Sequence, residues 1–142
     1  MIKKILFIAA AVLMLNSCTD KPVPVTEVPA NCQTFVKQYF PGQTITYAEK
    51  DWSWFSYKYE VVLADGTRVD FDTDNVWDKI ESPMTGVPVA AIPAPVASFL
   101  NTTYPGVLVK KIDKERYGYE VELVNDIELK LNEQGALMEM DD

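Results

Sequence analysis

Five acidic residues carry the spacing of a cation loop. Asp70, Asp72, Asp74, Asp78 and Glu81 fall at positions 1, 3, 5, 9 and 12 of the twelve-residue pattern that surrounds calcium with oxygen. Three features oppose that reading. Asn75 stands at position 6, where the loop needs glycine, Phe71 and Trp77 alternate inward as strand residues, and the flanks read as strands and not helices. The expectation is therefore no metal and no cofactor, with calcium on those five residues as the alternative. Catalysis finds little to work with. The chain has no histidine, which removes His-based triads and His-ligated metals. Each of the six glycines has a turn, a helix end or a strand irregularity to account for it, so none is left to cradle a phosphate. The chain is not expected to be an enzyme.

The remaining candidates are carboxylates and tryptophans, and placing them requires the elements that carry them. Phe40-Pro41-Gly42 recurs sixty-four residues later as Tyr104-Pro105-Gly106, and Tyr59-Glu60-Val61 recurs sixty residues later as Tyr119-Glu120-Val121. The chain is a duplicated unit. In each copy apolar residues at helical spacing (Cys32, Phe35, Val36, Tyr39, then Val96, Phe99, Leu100, Tyr104) lead to Pro-Gly, which ends the helix. Four strands follow in each copy. The first strands are expected at about 44–49 and 107–112, and the second at 55–63 and 117–123, with Phe55, Tyr57, Tyr59, Val61 and Leu63 on one face. Three-residue loops at 64–66 and 124–126 pair Val61 with Val69 and Val121 with Leu129. Loops at 73–75 and 133–135 bring Phe71 to Trp77 and Leu131 to Leu137, with Asn75 where the second copy has Gly135. Ten-residue helices and fifty-residue repeats are too small to stand alone, so the copies must share one core.

On the other face this register sets Lys58 near Asp72 and Glu120 near Lys130, but it opposes Glu60 to Asp70 and Glu122 to Glu128. Like charges directly opposite repel, and a basic protein or peptide docked there would relieve the repulsion. A solvated acidic face is the plain alternative. The drop in offset from sixty-four to sixty leaves the first copy four extra residues around Asp51-Trp52-Ser53-Trp54-Phe55. Shared packing does not require these tryptophans. Trp52 and Trp54 are thus candidate partner contacts, for protein or for stacked sugar.

The chain starts with Lys3 and Lys4, an apolar run too short to span a bilayer, and Leu15-Asn16-Ser17-Cys18. This resembles a bacterial lipoprotein signal, in which Cys18 is acylated and opens the mature chain. Loss of residues 1–17 would move the formal charge from -8 to -10, which disfavours nucleic acid and disfavours lying flat on anionic lipid. Membrane attachment is therefore expected through the lipid alone. Residues 18–29 hold the lipidated cysteine and a proline-rich tether. Residues 30–142 form the domain, with repeat one at 30–81, a linker at 82–93 and repeat two at 94–142. Cys32 is left without an intrachain partner and reads as core filler, with a reactive surface thiol as the alternative.

The paired aromatic-Pro-Gly motifs, the Tyr-Glu-Val strands and Val69-Asp70-Phe71-Asp72 resemble the PepSY-like family with the beta-lactamase-inhibitor-protein fold. The resemblance covers residues 28–141. It implies an α+β domain of two tandem α-β4 repeats forming one curved antiparallel sheet with both helices on one face, in an envelope lipoprotein of the outer membrane. It also implies a noncatalytic protein-binding or peptidase-modulating role. The candidate contacts are Trp52, Trp54, Glu60, Asp70, Glu122 and Glu128. A carbohydrate-binding lipoprotein and a purely structural envelope protein are the alternatives.

Overall fold

A computed structural model describes residues 20–142. The signal segment and Cys18 lie outside the described residues. The elements run β1 (Asp20–Pro22), α1 (Ala30–Tyr39), β2 (Ile45–Ser53), β3 (Ser56–Leu63), β4 (Arg68–Phe71) and β5 (Trp77–Glu81). They continue with α2 (Ala94–Thr103), β6 (Val109–Glu115), β7 (Gly118–Leu123), β8 (Glu128–Asn132) and β9 (Leu137–Asp141). All nine strands form one antiparallel sheet in chain order, and β5 pairs directly with β6 although α2 lies between them in sequence. The two repeats are therefore one sheet.

The core follows from alternation. Ala48, Val61, Val69, Ile80, Ile112, Val121, Leu129 and Met140 stand opposite one another in successive strands, β2 to β9. They make a single apolar row across the sheet. All but Met140, on the edge strand, are buried in one cluster with Cys32 and Val36 of α1 and Val96 and Leu100 of α2. Both helices thus bury their apolar stripes in the core that this face of the sheet supplies. Phe35 meets Phe71 edge to face at 5.7 Å, which ties α1 to the middle of the sheet. Gly135, at φ 78, lets the last hairpin turn lie against the start of α2, where a Cβ would strike the Pro95 carbonyl.

The expected register holds in the inner pairs of all four hairpins. Tyr59 pairs with Phe71, Tyr119 with Leu131, Phe71 with Trp77 and Leu131 with Leu137, and Asn75 adopts φ 62 in its turn. Four expectations need correction. Residues 20–29 are no free tether. Asp20–Pro22 pairs with β2, Val23 donates its N–H to the Ala48 carbonyl at 2.9 Å, and Val28 is buried in the core. The first strands run further than expected, to Ser53 and Glu115. Phe55 leaves the inner face, because Ser53 pairs with Ser56 and so makes Trp54-Phe55 the turn. Gly118, the glycine expected to bulge a strand, pairs regularly with Glu115 and Asn132; a Cβ there would collide with the Leu131 carbonyl, so its glycine serves close approach of β7 and β8. The linker also contributes packing, since Val87, Ala91 and Ile92 are buried and the Ser82 hydroxyl meets buried Thr67 at 2.9 Å.

Candidate functional site

The face opposite the apolar row carries a charged row in the same register. It reads Glu49, Glu60, Asp70, Lys79, Asp113, Glu120, Lys130 and Glu139 across β2 to β9. Every acid in it has a cation as a ladder neighbour except Glu49 and Glu60, and Asp70 extends their run to three. Glu49-Glu60-Asp70 is thus three carboxylates abreast on adjacent strands. Asp51 and Asp20 add a second rank, since Asp20 pairs with Asp51 and Asp51 with Lys58. Together with Asp78 these side chains line an open cleft of about 220 Å³.

Electrostatics in the cleft reflects crowding. Burial, and then the charge of Asp70, pushes the Glu60 carboxyl above its ordinary value, with the Arg68 guanidinium at 3.2 Å opposing. Asp70 is raised by burial, and Lys79 acts against it. One carboxylate oxygen, Oδ1 of Asp51, is buried with no hydrogen-bond partner. An acceptor left in that state is costly, and a cation or an N–H donor entering the cleft would satisfy it.

The other expected acids are placed elsewhere. Glu122 does oppose Glu128, but it is neutralised within the chain by Lys110 at 2.8 Å and Lys111 at 3.8 Å. That pair lies four strands from Glu60, roughly 19 Å away at about 4.8 Å per strand. Lys58 faces Asp51 and not Asp72, since the β3–β4 ladder stops at Tyr59 and Phe71. Asp72 has a different task. Its Oδ1 accepts the backbone N–H groups of Asp74 at 2.9 Å and Val76 at 3.0 Å, and Asn132 does the same for Gln134 and Ala136 in the second repeat. An uncharged residue fills the equivalent position, so the turn calls for an acceptor and not a ligand. Among the described residues no three acidic side chains converge to hold a metal ion, and the set Asp70, Asp72, Asp74, Asp78 and Glu81 is not brought together. Asp70 and Asp78 reach the cleft, while Glu81 stands between Arg68 and Lys111.

The tryptophans separate. Trp52 lies in β2 with its ring edge-on to Tyr57 at 4.9 Å. Trp54 and Phe55 form the two-residue turn, each 89% exposed, at φ 45 and φ 70. Such a turn favours Asn-Gly, and each bulky residue with positive φ costs about 1–2 kcal/mol. Cys32 is fully buried, and burial pushes its thiol up to about 11, so it is core filler and not a reactive surface thiol. A second depression, about 230 Å³ between α2 and the linker, is lined by apolar residues such as Val89, Ile92 and Leu108.

Sequence reasoning missed Glu49, Asp51 and Asp20 as cleft residues. Carrying the alternation of β2 past Glu49 would have placed Asp51 on the face of Glu60, but Asp20 sits in a strand with no apolar period to reveal it.

Fold and face define a class of protein: a two-repeat α+β scaffold whose helices pack on the apolar side of a sheet and whose other side is charged. The chain belongs to the PepSY-like family, described as "Putative beta-lactamase-inhibitor-like, PepSY-like", which matches residues 3–56 and 57–139. Solved relatives share the fold over nearly their whole length. One, described as a "putative calcium-regulated periplasmic protein" from Bacteroides thetaiotaomicron, is 36% identical, with a TM-score of 0.79 over 87% of this chain and 97% of that one. Two proteins from Bacteroides vulgatus, each described as a "putative periplasmic protein", are 32% and 26% identical, with TM-scores of 0.80 and 0.78, each over 87% of this chain and over 97% and 99% of their own. No curated protein matches the chain significantly. Among the described residues no helix is long and apolar enough to cross a membrane.

Proposed function

We propose that the chain is a noncatalytic module of the bacterial envelope that binds, and thereby modulates, a protein or peptide presenting Lys or Arg to the cleft of Glu49, Glu60 and Asp70. The observation that carries this is the uninterrupted run of three carboxylates across β2, β3 and β4, which repel one another in the free protein. A cationic partner would be attracted by the cleft and would remove that repulsion. Periplasmic relatives support the compartment, and the lipoprotein-like start supports attachment through Cys18.

Titration with a Lys/Arg-rich peptide tests the reading. Replacing Glu60 by Gln and Asp70 by Asn removes two charges worth up to about 0.7 kcal/mol each, and should weaken binding about tenfold. Equal affinity for the wild type and the double variant would dismiss the cleft as the docking surface.

A second reading rests on the unpartnered Asp51 Oδ1 and on the relative described as calcium-regulated. Calcium would be held by Asp51 with Glu49, Glu60 and Asp70, drawn inward from their present positions and with water completing the shell. Calorimetry separates the two. Heat on adding millimolar calcium that is lost in Asp51→Asn favours the ion, and heat only with the peptide favours the first reading.

A further inference from the structure

The exposed turn Trp54-Phe55 is a feature that the cleft does not use. We propose that this turn is a second membrane contact, which seats the sheet end-on against the bilayer beside the lipid of Cys18. The inference rests on the reading of Cys18 as the anchor.

Chain direction makes the argument. Strand β1 is antiparallel to β2, with Asp20 opposite Asp51 and Pro22 opposite Glu49, so the chain enters the sheet at the end where β2 turns into β3. Cys18 is two residues before Asp20 and therefore within about 7 Å of it by chain length alone. Trp54 is three residues beyond Asp51, roughly 10 Å further along the strand direction. A lipid on Cys18 would thus hold this turn at the membrane surface, with no spacer long enough to keep it away. The docking of residues 20–28 onto the domain removes the stand-off that a free tether would give.

Side-chain chemistry agrees with a bilayer interface as the occupant. The turns at this end of the sheet are Trp54-Phe55, Thr73–Asn75, Arg116-Tyr117 and Glu133–Gly135. Only the first points large apolar rings outward, each 89% exposed. Tryptophan and phenylalanine partition to the headgroup boundary, where an indole keeps its N–H in a polar layer while its ring leaves water. The backbone is held in a disfavoured left-handed conformation at both residues, and no packing inside the domain accounts for it.

The test uses vesicles of phosphatidylethanolamine and phosphatidylglycerol that carry a maleimide lipid. The chain from Cys18 onward, which contains all the described elements, is coupled through its Cys18 thiol, Cys32 being buried. Lipid brominated on the acyl chain is expected to quench part of the tryptophan emission, with a blue shift of the quenched component, and both effects should vanish in Trp54→Ser. Emission of the coupled protein that is untouched by brominated lipid, and as open to aqueous acrylamide as in the free protein, would overturn the proposal. So would a blue shift that requires an added envelope protein or glycan. Because coupling is chemical, this outcome does not depend on acylation in cells. The mass of the Cys18 peptide from a bacterial membrane fraction decides the anchor separately.

Discussion

Replacing Glu60 by Gln should stabilise the free protein at neutral pH, against the usual expectation for deleting an ion-paired residue. Glu60 stands between Glu49 and Asp70 in the ladder, with its side chain 24% exposed. Each like-charge opposition costs from about 0.2 to 1 kcal/mol. The compensating contact to Arg68, at 3.2 Å, involves a guanidinium side chain that is 56% exposed, and such pairs contribute about 0–1 kcal/mol. Two repulsions against one screened attraction leave a net gain of about 0.5–1 kcal/mol for the variant, or about 2–4 °C in melting temperature for a domain of this size. The sign with pH follows from linkage. Burial and Asp70 raise the folded-state value of Glu60 above that of the unfolded chain, so its contribution is fully favourable below the ordinary carboxylate range. It is lost as pH rises through the raised folded value. The advantage of Glu60→Gln should therefore be full at pH 7.5 and gone at pH 3.5, and should shrink in high salt. Urea titrations of both proteins at these two pH values check it. A variant less stable than the wild type at pH 7.5 would mean that the Arg68 contact outweighs the crowding, and the electrostatic basis of the cleft would fail.

Three further outcomes are expected. Trp54→Asn with Phe55→Gly gives the turn the residues its backbone prefers and should raise stability by about 1–2 kcal/mol in chemical denaturation, while abolishing lipid quenching. Gly118→Ala should destabilise by about 2 kcal/mol or more, since its Cβ meets the backbone of β8, and loss of a cooperative thermal transition would be the measured sign. Asp72→Asn should be nearly neutral in thermal unfolding, because Asn132 fills the same role, whereas Asp72→Ala should cost about 1 kcal/mol with the two turn hydrogen bonds.

The repeat, the register and the buried row could be read from the chain because alternation and turn chemistry agree there. A one-residue slip would turn Val61, Val69 and Ile80 to water, so their spacing alone specifies the pairing. What escaped reading had no such signal. Strand β1 pairs through its backbone while Asp20, Lys21 and Pro22 stay exposed, and an edge strand with proline looks like tether. The turn at Trp54-Phe55 carries residues that turn preferences disfavour, so the two-residue connection was hidden and Phe55 was assigned to the wrong place. The opposition of Glu60 to Asp70 was legible. Its enlargement by Glu49, Asp51 and Asp20 depended on strand ends and on β1, the parts least marked in sequence.

The two repeats agree on the inner face of the sheet and differ on the outer one. The inner row is equivalent in both halves, Val61-Val69-Ile80 against Val121-Leu129-Met140. On the other face, Glu60 and Glu120 correspond, but Asp70 in β4 is matched by Lys130 in β8, which pairs with Glu139 at 3.0 Å. Asp70-Lys79 is thus exchanged in charge for Lys130-Glu139, which shortens the acidic run from three to two and sets a cation beside Glu120, without touching the core. The strained aromatic turn follows the same division, since Trp54-Phe55 at positive φ is replaced in the second repeat by Arg116-Tyr117, which has no such strain. Both departures from the common scaffold fall at one end of the first repeat, with Asp51 three residues from Trp54. Cleft and turn then share a strand, β2, and the edge strand that leads to Cys18. A domain anchored there would hold its cleft close to the bilayer, so that any ligand of the proposed cleft would have to reach it at the membrane surface.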